Sequence, residues 1–173
     1  MSERSPPLSQ LAATGRTAQL LLDNQLCFML YATSLAMTKV YRPVLAPLGL
    51  TYPQYIVMLA LWEHDELSAG RLGERVALDS GTLVPLLRKL VALGLVERRR
   101  SAADDRSVLI TLTAEGTALR RRAHAVNDRI GCATQCTDAQ IKTLLRDLKK
   151  LRAALLAAAP HKTLSRRPTN PKE

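Results

Sequence analysis

Aromatic side chains are scarce: one Trp, one Phe and four Tyr in 173 residues. A core must therefore be aliphatic, and the abundance of Leu and Ala favours helices over a sandwich or barrel. Acidic residues are also few, 15 against 25 Lys and Arg, for a net charge of +10. That imbalance points to a polyanionic partner, nucleic acid first and a membrane surface second; charge alone does not separate them. Part of the surplus is local. The tail over 159–173 carries Lys162, Arg166, Arg167 and Lys172 against one acid and reads as a solvated, disordered end. Apolar runs of membrane-spanning length are missing, and the start MSERSPPLSQ lacks the apolar centre of a signal peptide, so a cytoplasmic protein without membrane association is expected. Only three cysteines occur, Cys27, Cys132 and Cys136. In a reducing compartment they are not a disulfide framework, which leaves buried hydrophobes, metal ligands or redox-active thiols.

What is present is a succession of helical patterns, 47% of the residues being hydrophobic. Residues 1–19 show no period and read as a flexible arm. A first helix is expected from Asp23 or Asn24, either able to cap a free N–H, toward Ala46, with Pro43 bending it or ending its regular part. Leu26, Leu30, Met37, Val40, Tyr41 and Val44 supply its apolar contacts. After the break Pro47-Leu48-Gly49-Leu50, Thr51 caps a second helix with Pro53 in its first turn, carrying Tyr55, Ile56, Leu59 and Ala60 to near Asp65. Ser68 opens a short third helix with Leu72 and Val76 inward. A fourth runs from Asp79 or Ser80 to Gly94, with Leu83, Leu86, Leu87, Leu90 and Leu93 on one face.

The tight Ala77-Leu78 link makes the third and fourth helices a helix-turn-helix. The stretch LVERRRSAADDRSVLITLT that follows places β-prone runs on both sides of a charged loop, a hairpin. The fold class expected is thus mainly α with a small β-hairpin wing, a winged helix over about 51–112. Thr113 caps a fifth helix with Leu119, Ala123, Val126 and Ile130 as a packing seam. A sixth from about Asp138 has Ile141, Leu144, Leu145, Leu148, Leu151 and Leu155 on one stripe. So small a domain cannot bury both, and a homodimer with the helices of about 20–46 and 113–158 at its interface is inferred. Their packing on the first helix within a monomer is the alternative.

On the fourth helix Ser80, Gly81, Thr82, Pro85, Arg88 and Lys89 lie away from the leucine face. Short hydroxyls reach base edges or phosphates, Gly81 lets the backbone approach, and Arg88 and Lys89 suit phosphates; an ordinary solvated face is the alternative. Pro85 leaves two options, a regular helix starting nearer Thr82 or a bend. In the wing Arg98, Arg99 and Arg100 stand on one side of the loop and Arg106 on the other, with strand alternation aiming some at the partner and others at solvent. Cys27 follows Asp23 and Asn24 by four and three residues. With either as N-cap its sulfur lies in the first helical turn, where unpaired N–H groups favour a thiolate, the form a peroxide oxidises to sulfenic acid. A buried structural cysteine is the alternative. Cys132 and Cys136, with His124 two turns earlier, offer three zinc ligands, but Gly131 and the helix end weaken that geometry, and no metal site is expected.

The order of elements, and Asp104-Asp105-Arg106 followed by Leu112-Thr113, resemble the MarR family of bacterial transcription regulators with its D-x-R…LT signature. More narrowly, LDNQLCFMLYATS, TYPQYIVMLALW, LDSGTLVPLLRKL and DDRSVLITLT are similar to the branch of that family that answers organic hydroperoxides, over roughly Leu22 to Leu155. The resemblance implies a repressor rather than an enzyme, binding an inverted-repeat operator in double-stranded DNA and released when an organic hydroperoxide oxidises Cys27, with no cofactor. It implies that Arg106 enters the minor groove, oriented by Asp104. Tyr41 and Tyr52 would donate phenolic hydrogen bonds to the reactive sulfur across the dimer, and Cys132 would resolve the sulfenic acid as an intersubunit disulfide. Cys136 receives no role. Two other readings stay open: a thiol peroxidase with Cys27 as nucleophile, against which no charged base lies near in sequence, and a repressor released by a phenolic ligand in the dimer crevice. An apolar sensor pocket lined by residues such as Phe28, Tyr31 and Met58 suits lipid or aryl hydroperoxides over hydrogen peroxide.

Overall fold

The structure, a computed structural model, describes residues 20–100 and 108–159. The arm expected over 1–19, the wing-tip residues Asp104 and Arg106, and the tail beyond Ala159 lie outside the described residues. A 3-10 turn (Leu22–Asn24) precedes α1 (Leu26–Leu45), a second such turn (Ala46–Leu48) and α2 (Tyr52–Glu63). Then come β1 (Leu67–Ser68), α3 (Ala69–Val76), α4 (Ser80–Ala92), β2 (Val96–Arg100), β3 (Val108–Leu112), α5 (Ala114–Thr134) and α6 (Asp138–Ala158). This is the mainly helical winged helix-turn-helix expected.

Local chemistry accounts for most boundaries. The Gln54 side chain accepts from the Thr51 amide (2.7 Å) and hydroxyl (3.0 Å), and Pro53 occupies the first turn of α2, where its missing N–H costs nothing. Ser68 Oγ accepts from the Arg71 amide (3.3 Å) and Asp79 Oδ1 from the Thr82 amide (2.9 Å), so the expected caps of α3 and α4 are in place. Between those helices Ala77 adopts a left-handed conformation (φ 56°), and a Cβ on Gly73 would stand 2.8 Å from the Leu78 carbonyl oxygen. Only glycine lets the two helices cross so tightly.

The sheet runs β1-β3-β2, with β2 and β3 antiparallel and Arg98 opposite Ile110. The pair Leu67-Ser68, legible only as a helix cap, is the third strand, paired with Ile110 and Leu109. Two residues escape the period-2 pattern because a strand that short has no period.

Several expectations are corrected. Neither Asp23 nor Asn24 caps α1; both lie in the 3-10 turn, and Gln25, extended and without a side-chain cap bond, begins the helix. The helix passes through Pro43 before ending at Leu45, and α4 likewise runs through Pro85 from Ser80. Pro85 and Gly81 are both exposed, and Pro85 has no N–H to give the Gly81 carbonyl. Leu93 is 50% exposed because the helix stops before it; the turn at Gly94 (φ 68°) hands its place in the core to Leu95. Leu59 is exposed too, while Val57, Met58, Leu61 and Trp62 of the same helix are buried.

The core clusters around Tyr55, Met58, Leu61, Leu72, Leu83, Leu87, Leu90 and Ile110, and the seam Leu119, Ala123, Val126 and Ile130 of α5 is buried in it. Trp62 Nε1 donates to the Gly116 carbonyl (2.9 Å), tying α2 to the start of α5. Trp62→Phe, which loses this donor and part of the buried indole, is expected to cost about 1–3 kcal/mol in urea unfolding; an unchanged midpoint would remove the bond from the account.

By contrast α1 is covered on one side only: Met37, Tyr41 and Val44 pack on the core, whereas Leu26 (60%) and Tyr31 (63%) are exposed, as are Met29, Leu30, Leu35 and Val40. The chain divides at Ala133 into two compact units. In the second, α6 is capped by Thr137 with Gln140, buries no residue, and exposes Leu144, Leu145, Leu148 and Leu155. No single described helix is long and apolar enough to cross a membrane.

Candidate functional site

Two groups of side chains stand out. The first is the outer face of α4. With Leu83, Leu86, Leu87 and Leu90 buried, the helix turns Ser80, Gly81, Thr82, Pro85, Arg88 and Lys89 outward, all exposed. Asp79 is locked at its start: beyond the amide contact, its Oδ2 accepts from the Thr82 hydroxyl (3.1 Å). The amide first and then the hydroxyl hold the Asp79 carboxyl below the usual carboxylate range, so it stays ionised at neutral and mildly acid pH.

The hairpin beside α4 divides the three arginines by strand alternation. Arg98 and Arg100 share the side of Val96, whose buried core they outrun, and Arg99 points to the other side and pairs with Glu97 (2.5 Å). All three are exposed, and an ion pair this open to water contributes little. The alternation expected along Arg98–Arg100 is therefore in place.

The second group joins Cys27 and the tyrosines. Cys27 is exposed, the second residue of α1, in a turn whose N–H groups have no carbonyl inside the helix to bond. Tyr41 packs tilted against Tyr52 (centroids 4.6 Å apart) and Tyr55 (5.9 Å), and Tyr55 contacts Trp62 edge-on (6.2 Å). Burial, then the neighbouring phenols, push the Tyr41 hydroxyl up to about 12, so it remains a hydrogen-bond donor at neutral pH. Tyr55 is raised by the same burial, and its hydroxyl donates to Asn127 Oδ1 (3.4 Å). Tyr55 was legible only as a core contact; its spacing of three from Tyr52 on one helix was the available signal that both join one cluster.

The structure brings Tyr41 and Tyr52 together but not Cys27. Fourteen residues along one helix separate Cys27 from Tyr41, a rise of roughly 21 Å. Met58, expected at a pocket wall, is wholly buried, while Phe28 is half-buried and Tyr31 exposed. Cys132 is exposed on α5, on the side away from the buried Ile130. Cys136, also exposed, has its Sγ 3.3 Å from the Thr134 carbonyl. Among the described residues no three His, Cys, Asp or Glu side chains gather as a metal site, which leaves His124, Cys132 and Cys136 without the zinc geometry considered for them.

A family model described as "Transcriptional regulator SarA/Rot" matches residues 39–122. The organic hydroperoxide resistance transcriptional regulator of Bacillus subtilis (strain 168) is 47% identical over 135 residues, which span 78% of this chain and 86% of that relative. AbfR of Staphylococcus epidermidis has a similar structure, with a TM-score of 0.67 at 33% identity over 83% of this chain and 99% of AbfR. Reduced AbfR bound to DNA matches with a TM-score of 0.65 at 33% identity, over 82% of this chain and 99% of that one. Disulfide-formed AbfR matches with 0.55 at 35% identity, over 79% and 96%.

Proposed function

That this chain belongs to the MarR family of winged-helix transcription regulators is the premise from which we propose that it is a homodimeric repressor of an inverted-repeat operator, released when an organic hydroperoxide oxidises Cys27. The observation that carries the reading is the position of Cys27. It is exposed at the start of a helix whose apolar face is uncovered, and the phenol pair that suits a reactive sulfur lies near the other end of the same helix. Two copies of α1 packed antiparallel about a two-fold axis would cover both apolar faces and bring each Cys27 toward the partner's Tyr41 and the partner's Tyr52. The name of the Bacillus subtilis relative supports the hydroperoxide, and reduced, DNA-bound AbfR supports the operator.

In this scheme the Cys27 thiolate attacks the outer oxygen of the hydroperoxide. An S–O bond forms, the O–O bond breaks, and the departing alkoxide takes a proton to become the alcohol. The partner's Cys132 then displaces the hydroxyl from sulfur: an S–S bond forms, the S–O bond breaks, and water leaves. Two thiols are oxidised and one hydroperoxide is reduced to alcohol and water. The relatives are regulators rather than enzymes, which supports one such event per site over turnover.

The test is a gel-shift assay on inverted-repeat duplexes selected from random DNA, with reduced protein, with protein treated with cumene hydroperoxide, and after thiol repair. Retardation, release and recovery are expected. Retardation unaffected by the hydroperoxide would discard the sensor, and no retardation the repressor. In the same assay Arg106→Ala, which removes a groove contact and no core atom, is expected to weaken binding by about 1–3 kcal/mol. An affinity within about twofold of the parent, against that expected loss, would take Arg106 out of the interface.

A further inference from the structure

The recognition helix carries a detail that goes further, and it rests on the operator-binding reading above. Thr82 is exposed on the outer face of α4, one turn from Pro85, where the proposed repressor meets the major groove. Its hydroxyl proton is already committed, because Thr82 Oγ1 donates to Asp79 Oδ2 at 3.1 Å while the Thr82 amide occupies Asp79 Oδ1 at 2.9 Å. Gly81 leaves room beside this arrangement, since a Cβ there would stand 3.0 Å from Asp79 Oδ1, close enough that the carboxylate would have to give by a few tenths of an ångström.

A threonine hydroxyl has one hydrogen to give and two lone pairs to accept with, and an ionised carboxylate only accepts. Asp79 and Thr82 together therefore show DNA lone pairs and no donor. Phosphate oxygens offer no hydrogen, so they are poor partners for this pair. In the major groove every base pair presents one exocyclic amino group, on adenine N6 or cytosine N4, while guanine and thymine present acceptors there.

We propose that Thr82, held by Asp79 as a positioning residue, is an acceptor-only base reader that selects adenine or cytosine over guanine or thymine at one operator position per half-site, on the strand it faces. A free threonine would accept either class by rotating its hydroxyl, and the bond to Asp79 removes that freedom. The neighbouring Arg88 and Lys89 then carry the phosphate contacts.

Binding sites selected from a randomised duplex library by the full-length reduced protein, and sequenced, test this. The parent is expected to enrich an inverted repeat with adenine or cytosine at one position of each half-site. Replacing that base with guanine or thymine should weaken binding about threefold to tenfold, the worth of one hydrogen bond. Thr82→Val should flatten the preference at that position alone, and Thr82→Ser, which keeps the hydroxyl, should restore it. Asp79→Asn should let guanine and thymine in, because the released hydroxyl can donate to their acceptors. Unchanged preferences in Thr82→Val, or a lost preference that was for guanine or thymine, would overturn the inference while leaving the repressor standing. Failure of the parent to enrich any inverted repeat would overturn both.

Discussion

Cys27→Ser should bind its operator as the reduced parent does and stay bound after an organic hydroperoxide that releases the parent. The variant keeps the size and exposed position of residue 27 at the start of α1 but has no sulfur to accept the peroxide oxygen, so the effect is close to all-or-none. Release of Cys27→Ser by the same treatment would show that another group senses the oxidant. The covalent step has its own signature. On non-reducing electrophoresis the oxidised parent should run at doubled mass, the band should vanish in Cys132→Ser, and thiols should abolish it. Both sulfurs are exposed and free in the structure, and bonding them requires Cα atoms within about 7 Å of each other. A disulfide that forced this approach would drag α1 or α5, and with them the spacing of the two recognition helices. A band that persists in Cys132→Ser but is lost in Cys136→Ser would transfer the resolving role to Cys136.

Gly116→Ala should be the most damaging small substitution in the described part of the chain. A Cβ at Gly116 would lie 2.0 Å from the Leu95 carbonyl oxygen and 3.0 Å from its carbon, and the obstacle is backbone that no rotamer change removes. Leu95 is pinned there, because its carbonyl accepts from the Thr113 amide (3.1 Å) and its amide donates to Leu90 (3.1 Å). The start of α5 would have to move away from the sheet, loosening the contact of Gly116 with Trp62. Overpacking of this kind costs about 3 kcal/mol or more, of which the better helix propensity of alanine returns about 1 kcal/mol. For a chain this size the net loss lowers the melting temperature by roughly 4–8 °C. Gly131→Ala, on the same helix with nothing within 4 Å of the added carbon, should instead be neutral or stabilising by up to about 1 kcal/mol. Equal melting temperatures for the two variants would show that the close approach at Gly116 does not constrain the fold.

Much of the fold was legible because it rests on short-range rules. Thr51, Ser68 and Asp79 cap helices through groups three residues away, and the leucine stripe of α4 and the seam of α5 follow the helical period. Reading failed where the deciding contact is remote or the element too short. The two-residue strand Leu67–Ser68 exists because β3, forty residues later, offers it hydrogen bonds. Asp23 and Asn24 are good capping residues passed over for Gln25, and the exposure of Leu93 depends on where Gly94 turns the chain.

The candidate site divides in the same way. By itself the sequence determined which residues could carry chemistry and charge: the cysteines, the tyrosines of two neighbouring helices and the basic outer face of α4, since residue type and helical spacing are local properties. Only the tertiary structure decided how they are grouped. It brought Tyr41 against Tyr52 and added Tyr55, and left Cys27 some 21 Å of helix away. It also buried the α5 seam within the chain while leaving one face of α1 uncovered. The physical reason is that an apolar stripe reads the same whatever covers it; what covers it depends on surfaces far apart in sequence, and those meet only when the chain has folded.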